Sequence, residues 1–244
     1  MTYCCALRLE DGMVFISDTR TNAGVDHISV FRKLYTFGTP DERLIVIQAS
    51  GNLATTQAVI GHIKNHLELK HEPNILSLPT MFDVAELIGN TLKHVIENVT
   101  ADTMEQSNYY CSLLVGGQIK GQDMQLYNIY PQGNFICATR DTPYFQIGES
   151  KYGKPILDRA LSFDMPLDEA LRCALISFAS TLRSNVSVGI PLDVLVYHRD
   201  SLQQPQGKRI TEDDPYFTSI SKQWSELLKK GLQELPKPTE DYFN

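Results

Sequence analysis

Thr2 is the residue of this 244-residue chain that most directly suggests a chemical role. Methionine aminopeptidases remove an initiator methionine when the next side chain is small, so we expect Met1 to be removed and Thr2 to become the first residue. Thr2 would then carry a nucleophilic hydroxyl and a free α-amine. An α-amine has a pKa of about 7.7–8.0, so it can accept the hydroxyl proton near neutral pH. A nucleophile and its general base would therefore share one amino acid.

Asp18 and Lys33 are the candidate partners of Thr2. Asp18 ends an apolar run over residues 13–17 that predicts a buried strand, and a buried carboxylate is costly unless it is paired. Lys33 lies farther along the chain between aromatic and apolar neighbours. If its segment returns beside the first strand, the two side chains form an ion pair next to Thr2, where an ammonium would stabilise a developing alkoxide. A purely structural ion pair is the alternative.

Metal and cofactor sites are not indicated by the sequence. It contains no GxGxxG, P-loop, HExxH, GxSxG or EF-hand motif. His62 and His66 have the spacing of two ligands on one helix face, but no third ligand is evident nearby. We interpret them as part of a solvated helix face and expect neither a metal nor a cofactor.

The composition is typical of a globular protein. The formal net charge is −7, with 42% apolar and 21% charged residues, which argues against disorder and against nucleic acid or an anionic membrane as the main partner. No apolar run approaches the ~20 residues of a membrane helix. Arg8, Glu10 and Asp11 interrupt any signal peptide. The five cysteines form no CxxC pair and are interpreted as free thiols, so we expect a cytoplasmic location.

The order of the predicted elements favours an α+β fold. Apolar runs predict strands over residues 3–9, 13–17, 44–49, 111–115, 124–130, 134–139 and 194–198. Apolar residues at helical spacing predict helices around residues 59–67, 84–99, 167–182 and 224–235. Strands in two clusters with helices between them suggest two stacked antiparallel sheets covered by helices. We expect a domain over residues 1–210 and a C-terminal extension over residues 211–244.

Two local signals support these boundaries. Asp11 and Gly12 mark a hairpin turn between the first two strands. Thr80 with Asp83 marks the start of the second helix, because the two residues have the spacing of a capping box.

Thr2, residues 18–24 and Lys33 resemble the N-terminal active-site signature of proteasome β subunits. The resemblance extends through residues 49–51 and 167–189, and it spans nearly all of the chain up to about residue 200. The short N-terminus and the C-terminal extension most resemble the bacterial Anbu-type, or ancestral β-subunit, proteasome-like proteases. This resemblance implies the four-layer αββα sandwich of N-terminal-nucleophile hydrolases, which agrees with the predicted order of elements.

The resemblance also implies catalytic roles. Thr2 corresponds to the nucleophile, Asp18 to the carboxylate that orients a lysine, and Lys33 to that lysine. The family's oxyanion hole is a backbone N–H in an Ala-Gly-Gly turn. The turn here reads Ala-Ser-Gly, so Ser50 and Gly51 are the candidate donors.

Two other parts of the family pattern are altered. Ser187 matches a family serine near the nucleophile, whereas Ser184 replaces the family's aspartate. The family's Gly-Ser-Gly loop reads Gly148, Glu149 and Ser150. Ser150 is therefore predicted to act with a shift of one residue, or Glu149 occupies the position and restores some of the missing negative charge. We expect the surroundings of the amine to differ from those in the proteasome.

Substrate contacts are predicted in the same way. The positions that resemble the first specificity pocket or adjoin it are Thr21, Asn22, Phe31, Tyr35, Gln48, Asn52 and Thr56. None of them is charged, so we expect a neutral or apolar side chain before the scissile bond.

The resemblance implies a threonine peptidase that acts on peptides or unfolded proteins within a ring or an open helical turn of identical subunits. The chain contains no ATPase motif, so any unfoldase would be a separate protein. Two alternatives stay open: an assembly-forming subunit without catalysis, and a small-molecule amidase of the same fold. The joint presence of Thr2, Asp18 and Lys33 favours the peptidase, because a purely structural subunit needs no such set.

Overall fold

The computed structural model describes residues 2–22, 28–101 and 106–243 of the chain. The strands in these ranges are β1 (Tyr3–Arg8), β2 (Gly12–Asp18), β3 (Arg20–Asn22), β4 (Ile28–Val30), β5 (Leu34–Thr39), β6 (Arg43–Gly51), β7 (Cys111–Ile119), β8 (Gln125–Ile129), β9 (Phe135–Cys137), β10 (Tyr144–Gly148), β11 (Leu192–His198) and β12 (Lys208–Ile210). The helices are α1 (Leu53–Glu68), α2 (Met81–Thr100), α3 (Lys154–Ala160), α4 (Leu167–Ser184) and α5 (Pro215–Glu234), with 3₁₀ turns at Gln106–Tyr109 and Glu240–Phe243.

The described strands form two five-stranded antiparallel sheets and one small hairpin. The first sheet has the order β10-β1-β2-β11-β12, and the second has the order β5-β6-β7-β8-β9. β3 pairs with β4 in the hairpin. β1 and β2 pair in register from Cys4 with Ser17 to Arg8 with Met13, which confirms the predicted hairpin around Gly12.

The two sheets face each other across a core to which both contribute alternate residues. Leu44 and Val46 of β6 lie in this core, whereas Ile45 and Ile47 lie beneath α1 and α2. β6 is covered on both faces, which explains why its sequence is almost continuously apolar. Residues of α3, α4 and the start of α5 cover the outer face of the first sheet. The layers run helix, sheet, sheet, helix, so the predicted αββα sandwich is confirmed.

The capping box predicted at the start of the second helix is present. Thr80 Oγ1 accepts a hydrogen bond from the backbone N–H of Asp83, and the Asp83 carboxylate accepts one from the backbone N–H of Thr80. These reciprocal bonds satisfy two backbone donors that have no partner within the helix. α2 therefore begins where the sequence indicates.

The strands that differ most from the prediction lie at the edges of the sheets. β5, β10 and β12 were not predicted, and the predicted strand over residues 134–139 is limited to β9. These four strands are the edges of the two sheets. An edge strand buries fewer side chains, so its apolar pattern is weak and its pairing depends on the neighbouring strand.

The C-terminal helix α5 packs on the sandwich mainly through its first turns. Phe217 is buried in the core beneath α4, and Ile220 packs against the same core. Farther along α5, Leu228 and Leu232 are 55% and 73% exposed. None of the helices in the described ranges is long and apolar enough to span a membrane.

Candidate active site

Thr2 precedes β1, at the end of the sandwich where β1 and β10 of one sheet approach β5 and β6 of the other. The side chain is 7% exposed and borders a cleft of about 480 Å³. The cleft is lined by Thr2, Thr21, Arg32, Lys33, Ala49, Ser50, Gly51, Asn52, Leu53, Thr56, Gly148 and Glu149. The volume lies within the usual range of ligand sites.

Lys33 and Asp18 form the predicted ion pair beside this cleft. Lys33 Nζ donates to Asp18 Oδ1 at 2.7 Å and to the Arg20 carbonyl at 2.5 Å. Asp18 is fully buried and Lys33 is 5% exposed. A buried ammonium with two acceptors is held in one position, so the cation that borders Thr2 is fixed.

Asp18 also connects the segment of Thr2 to a distant loop. Its carboxylate accepts hydrogen bonds from the backbone N–H of Tyr3 at 3.1 Å and of Gly189 at 3.3 Å. Burial raises the pKa of Asp18 above its ordinary value, while the Lys33 ammonium and these two N–H groups oppose that rise. The carboxylate thereby holds three chain segments together next to the nucleophile candidate.

The end of β10 reaches Thr2 because residue 148 is glycine. Gly148 has φ +84°, and a β-carbon placed there would lie 1.9 Å from the Thr2 carbonyl oxygen and 2.9 Å from Ser50 Oγ. Glu149 follows, and its backbone N–H donates to the Thr2 carbonyl at 2.7 Å. A larger residue at position 148 would move this loop away from Thr2.

Half of the predicted site residues line the cleft. Ser50 and Gly51, the candidate oxyanion donors, line it together with Thr2 and Lys33. The predicted substrate contacts Thr21, Asn52 and Thr56 also line it.

The Asn52 side chain forms hydrogen bonds within the fold, although the residue also lines the cleft. Its side-chain oxygen accepts the Thr55 N–H and so caps α1, and its side-chain nitrogen donates to the Asn108 carbonyl. Thr21 Oγ1, in contrast, is buried and has no hydrogen-bond partner among the described residues.

Three predicted substrate contacts lie elsewhere. Phe31 and Tyr35 do not line the cleft, and the Tyr35 hydroxyl donates to the Arg32 carbonyl at 2.8 Å. Gln48 is fully buried, and its side-chain nitrogen donates to the Ile16 carbonyl across the two sheets. The side chain of Asn22 lies outside the described residues, as do residues 23 and 24 of the predicted signature.

The predicted serines are not among the residues that line the cleft. Ser150 lines a separate depression beside Lys154, and Ser184 lines a groove between α4 and α5. Ser187 does not line the cleft, and its backbone N–H donates to Asn185 Oδ1 at 2.9 Å. Gly148 and Glu149 of this loop line the cleft together with Thr2, and Glu149 is the second of the two residues considered for this position.

The cleft is less neutral than the sequence indicates, because Arg32 and Glu149 line it in addition to the Lys33–Asp18 pair. Arg32 precedes Lys33, and the sequence offers no signal to distinguish it from an ordinary surface arginine. Glu149 is recognisable only through its place in the Gly-Glu-Ser loop.

No set of three metal-ligating side chains occurs within the part of the chain that the structure describes. His62 and His66 line a groove of about 430 Å³ between α1 and α2, together with His94.

The fold is that of a proteasome subunit. Residues 2–196 match the proteasome subunit family, so the chain belongs to that family. The proteasome subunit beta 2 of Thermofilum pendens is 25% identical over 196 residues, which cover 78% of this chain and 85% of the relative.

Two solved structures are more similar to this chain than that relative is. Anbu (ancestral beta-subunit) from Yersinia bercovieri is 53% identical, covers 97% of this chain and 99% of its own, and superposes with a TM-score of 0.92. The Anbu complex from Pseudomonas aeruginosa, described as a helical assembly, is 55% identical with the same TM-score and covers 98% and 99% of the two chains. These similarities place the chain among the Anbu-type, proteasome-like members of the family.

Proposed function

We propose that the protein is a threonine peptidase whose nucleophile is Thr2 after removal of Met1. The α-amine of Thr2 accepts the proton of Oγ1 while Oγ1 attacks the carbonyl carbon of a peptide bond. The tetrahedral intermediate collapses, the amine of Thr2 returns the proton to the leaving nitrogen, and an ester to Oγ1 remains. Water then attacks the ester and gives one proton to the amine, which passes it to Oγ1 as the carboxylic acid leaves, so that free Thr2 is restored.

The observation that supports this function is that Thr2 and Lys33 line the same cleft while Asp18 fixes the lysine. The ammonium stabilises negative charge that develops on Oγ1 and in the tetrahedral intermediate. Ser50 and Gly51 line the cleft at the end of β6, where a backbone N–H would bind the oxyanion. Thr21 lines the same cleft.

A cysteine-dependent amidase is less consistent with the site. Cys4 and Cys5 of β1 are fully buried, and burial raises the pKa of both thiols, so neither forms the reactive thiolate readily. Thr2 is the nucleophilic side chain of this segment that borders the cleft.

The proposed function is tested by an epoxyketone peptide, which reacts with both the hydroxyl and the amine of an N-terminal threonine. We expect the purified protein to lack Met1 by intact mass, and the adduct to map to Thr2. Retained Met1, or an adduct at another residue alone, would contradict the peptidase and favour a subunit without catalysis.

We also propose that the protein assembles from identical subunits, because the similar Anbu complex from Pseudomonas aeruginosa is described as a helical assembly. The second half of α5 exposes apolar side chains that the sandwich does not cover. These are Leu227, Leu228 and Leu232, to which Leu235 directly after the helix adds, and each is at least 55% exposed. Such a continuous apolar surface is typical of a protein–protein contact.

The variant Leu232→Glu is therefore expected to reduce the assembly to smaller species, because it places a charge within the apolar surface of α5. Sedimentation velocity measures the change, and circular dichroism checks that the subunit remains folded. Lys222→Glu, at an exposed polar position of the same helix, is the control and should assemble normally. Unchanged sedimentation of Leu232→Glu would show that α5 does not form the contact.

A further inference from the structure

Two charged side chains of the cleft, Arg32 and Glu149, have no protein partner among the described residues. Neither the Arg32 guanidinium nor the Glu149 carboxylate forms a hydrogen bond or ion pair within residues 2–22, 28–101 and 106–243. The nearby cations differ in this respect. Lys33 is paired with Asp18, and the others are paired as Lys208 with Asp214 and Arg209 with Asp193.

Arg32 and Glu149 lie on segments near opposite edges of the first sheet, and both residues line the cleft of Thr2. Arg32 also lines a neighbouring depression formed with residues of β11 and β12, near one edge. Glu149 follows β10, which is the other edge and packs against β6, β7 and β8 of the second sheet. Thr2 directly precedes β1, which lies between these two edges, so the cleft has a residue of each charge sign toward the two edges.

We infer that the cleft selects peptides with opposite charges on the two sides of the scissile bond. This inference rests on the proposed peptidase function and concerns the substrate class of the same site. A carboxylate of the substrate, from an acidic side chain or a chain end, pairs with Arg32. An ammonium or guanidinium of the substrate pairs with Glu149. Neutral residues at the scissile bond itself lie against the uncharged part of the lining, which includes Thr21 and Thr56.

The expected preference is moderate because Arg32 is exposed and Glu149 is half-buried. An ion pair in such surroundings contributes about three- to five-fold to binding, so two correctly placed charges give about ten-fold or more. Salt should weaken the preference, because mobile ions screen partly exposed charges.

The experiment compares three peptides with the same neutral core: one with neutral flanks, one with an acidic flank before and a basic flank after the core, and one with the flanks exchanged. We expect one charged order to be hydrolysed about ten-fold faster than the other, relative to the neutral peptide. Arg32→Gln and Glu149→Gln should each reduce this ratio about three- to five-fold. The double variant Arg32→Glu with Glu149→Arg should invert the preferred order.

Arg159→Gln, at an exposed position of α3, is the matched control and should keep the wild-type ratio. Equal hydrolysis of the two charged orders overturns the inference while leaving the peptidase intact. So does a loss in Glu149→Gln that is equal for all three peptides, since this would mean that the carboxylate acts on Thr2 instead. Absence of hydrolysis together with absence of epoxyketone labelling overturns both proposals.

Discussion

The variant Thr2→Ala is expected to lose peptide hydrolysis by about 10⁴-fold or more, since it removes the atom that forms the acyl-enzyme. The fold should be unaffected. Position 2 contributes its carbonyl oxygen to the Glu149 N–H, and alanine retains that carbonyl. Hydrolysis is measured as kcat/KM on the neutral peptide, and labelling by the epoxyketone should disappear in parallel.

Thr2→Ser is the matched control for this variant. Serine retains the hydroxyl and the α-amine, and it is also small enough for Met1 to be removed. It should therefore keep measurable hydrolysis and labelling at position 2. Intact mass must show that all three proteins lack Met1, so that only the side chain differs. Wild-type rates in Thr2→Ala would mean that the nucleophile lies elsewhere.

The sequence predicts the candidate reacting residues better than it predicts the residues that line the cleft. Thr2, Asp18 and Lys33 are recognised by residue type and by their places relative to the strands, and the structure confirms that the carboxylate and the ammonium pair. The conformations of the loops could not be predicted from the sequence. Gly148 adopts φ +84°, and this conformation brings Glu149 to the cleft while Ser150 lines another depression. A backbone angle of one residue is not encoded in any periodic pattern.

The position of a side chain on a strand explains another difference. The sequence predicts Gln48 as a substrate contact. In the structure its side chain lies between the two sheets and donates to the Ile16 carbonyl. A single step along a strand moves a side chain to the opposite face, so a site residue can be assigned only when the register is known. Arg32 is not recognisable as a cleft residue from the sequence, because no periodic pattern surrounds a loop residue shortly before an edge strand.

Lys33→Met should reduce kcat/KM by about 10²–10⁴-fold while leaving the protein folded. Methionine fills much of the same volume, but it has no charge to stabilise the alkoxide of Thr2 or the tetrahedral intermediate. Asp18 still accepts the N–H groups of Tyr3 and Gly189, so the three segments that it joins stay connected. Lys120→Met, at an exposed turn position, is the control and should retain activity.

The variant Lys33→Met should also change how the stability of the fold depends on pH. Burial already raises the pKa of Asp18, and Lys33 is the strongest influence that opposes this rise. Without the lysine, the folded-state pKa of Asp18 moves further above the unfolded value of about 3.9. A group whose pKa is higher in the folded than in the unfolded state contributes to the free energy of unfolding fully below its unfolded pKa. This contribution is lost as the pH rises through the folded-state pKa. The deficit of Lys33→Met in the free energy of unfolding should thus be smallest near pH 4 and grow toward pH 7, as urea titrations would measure. A deficit that is constant across this range would show that Lys33 does not balance the buried charge of Asp18, and the lysine would then need another role in the cleft.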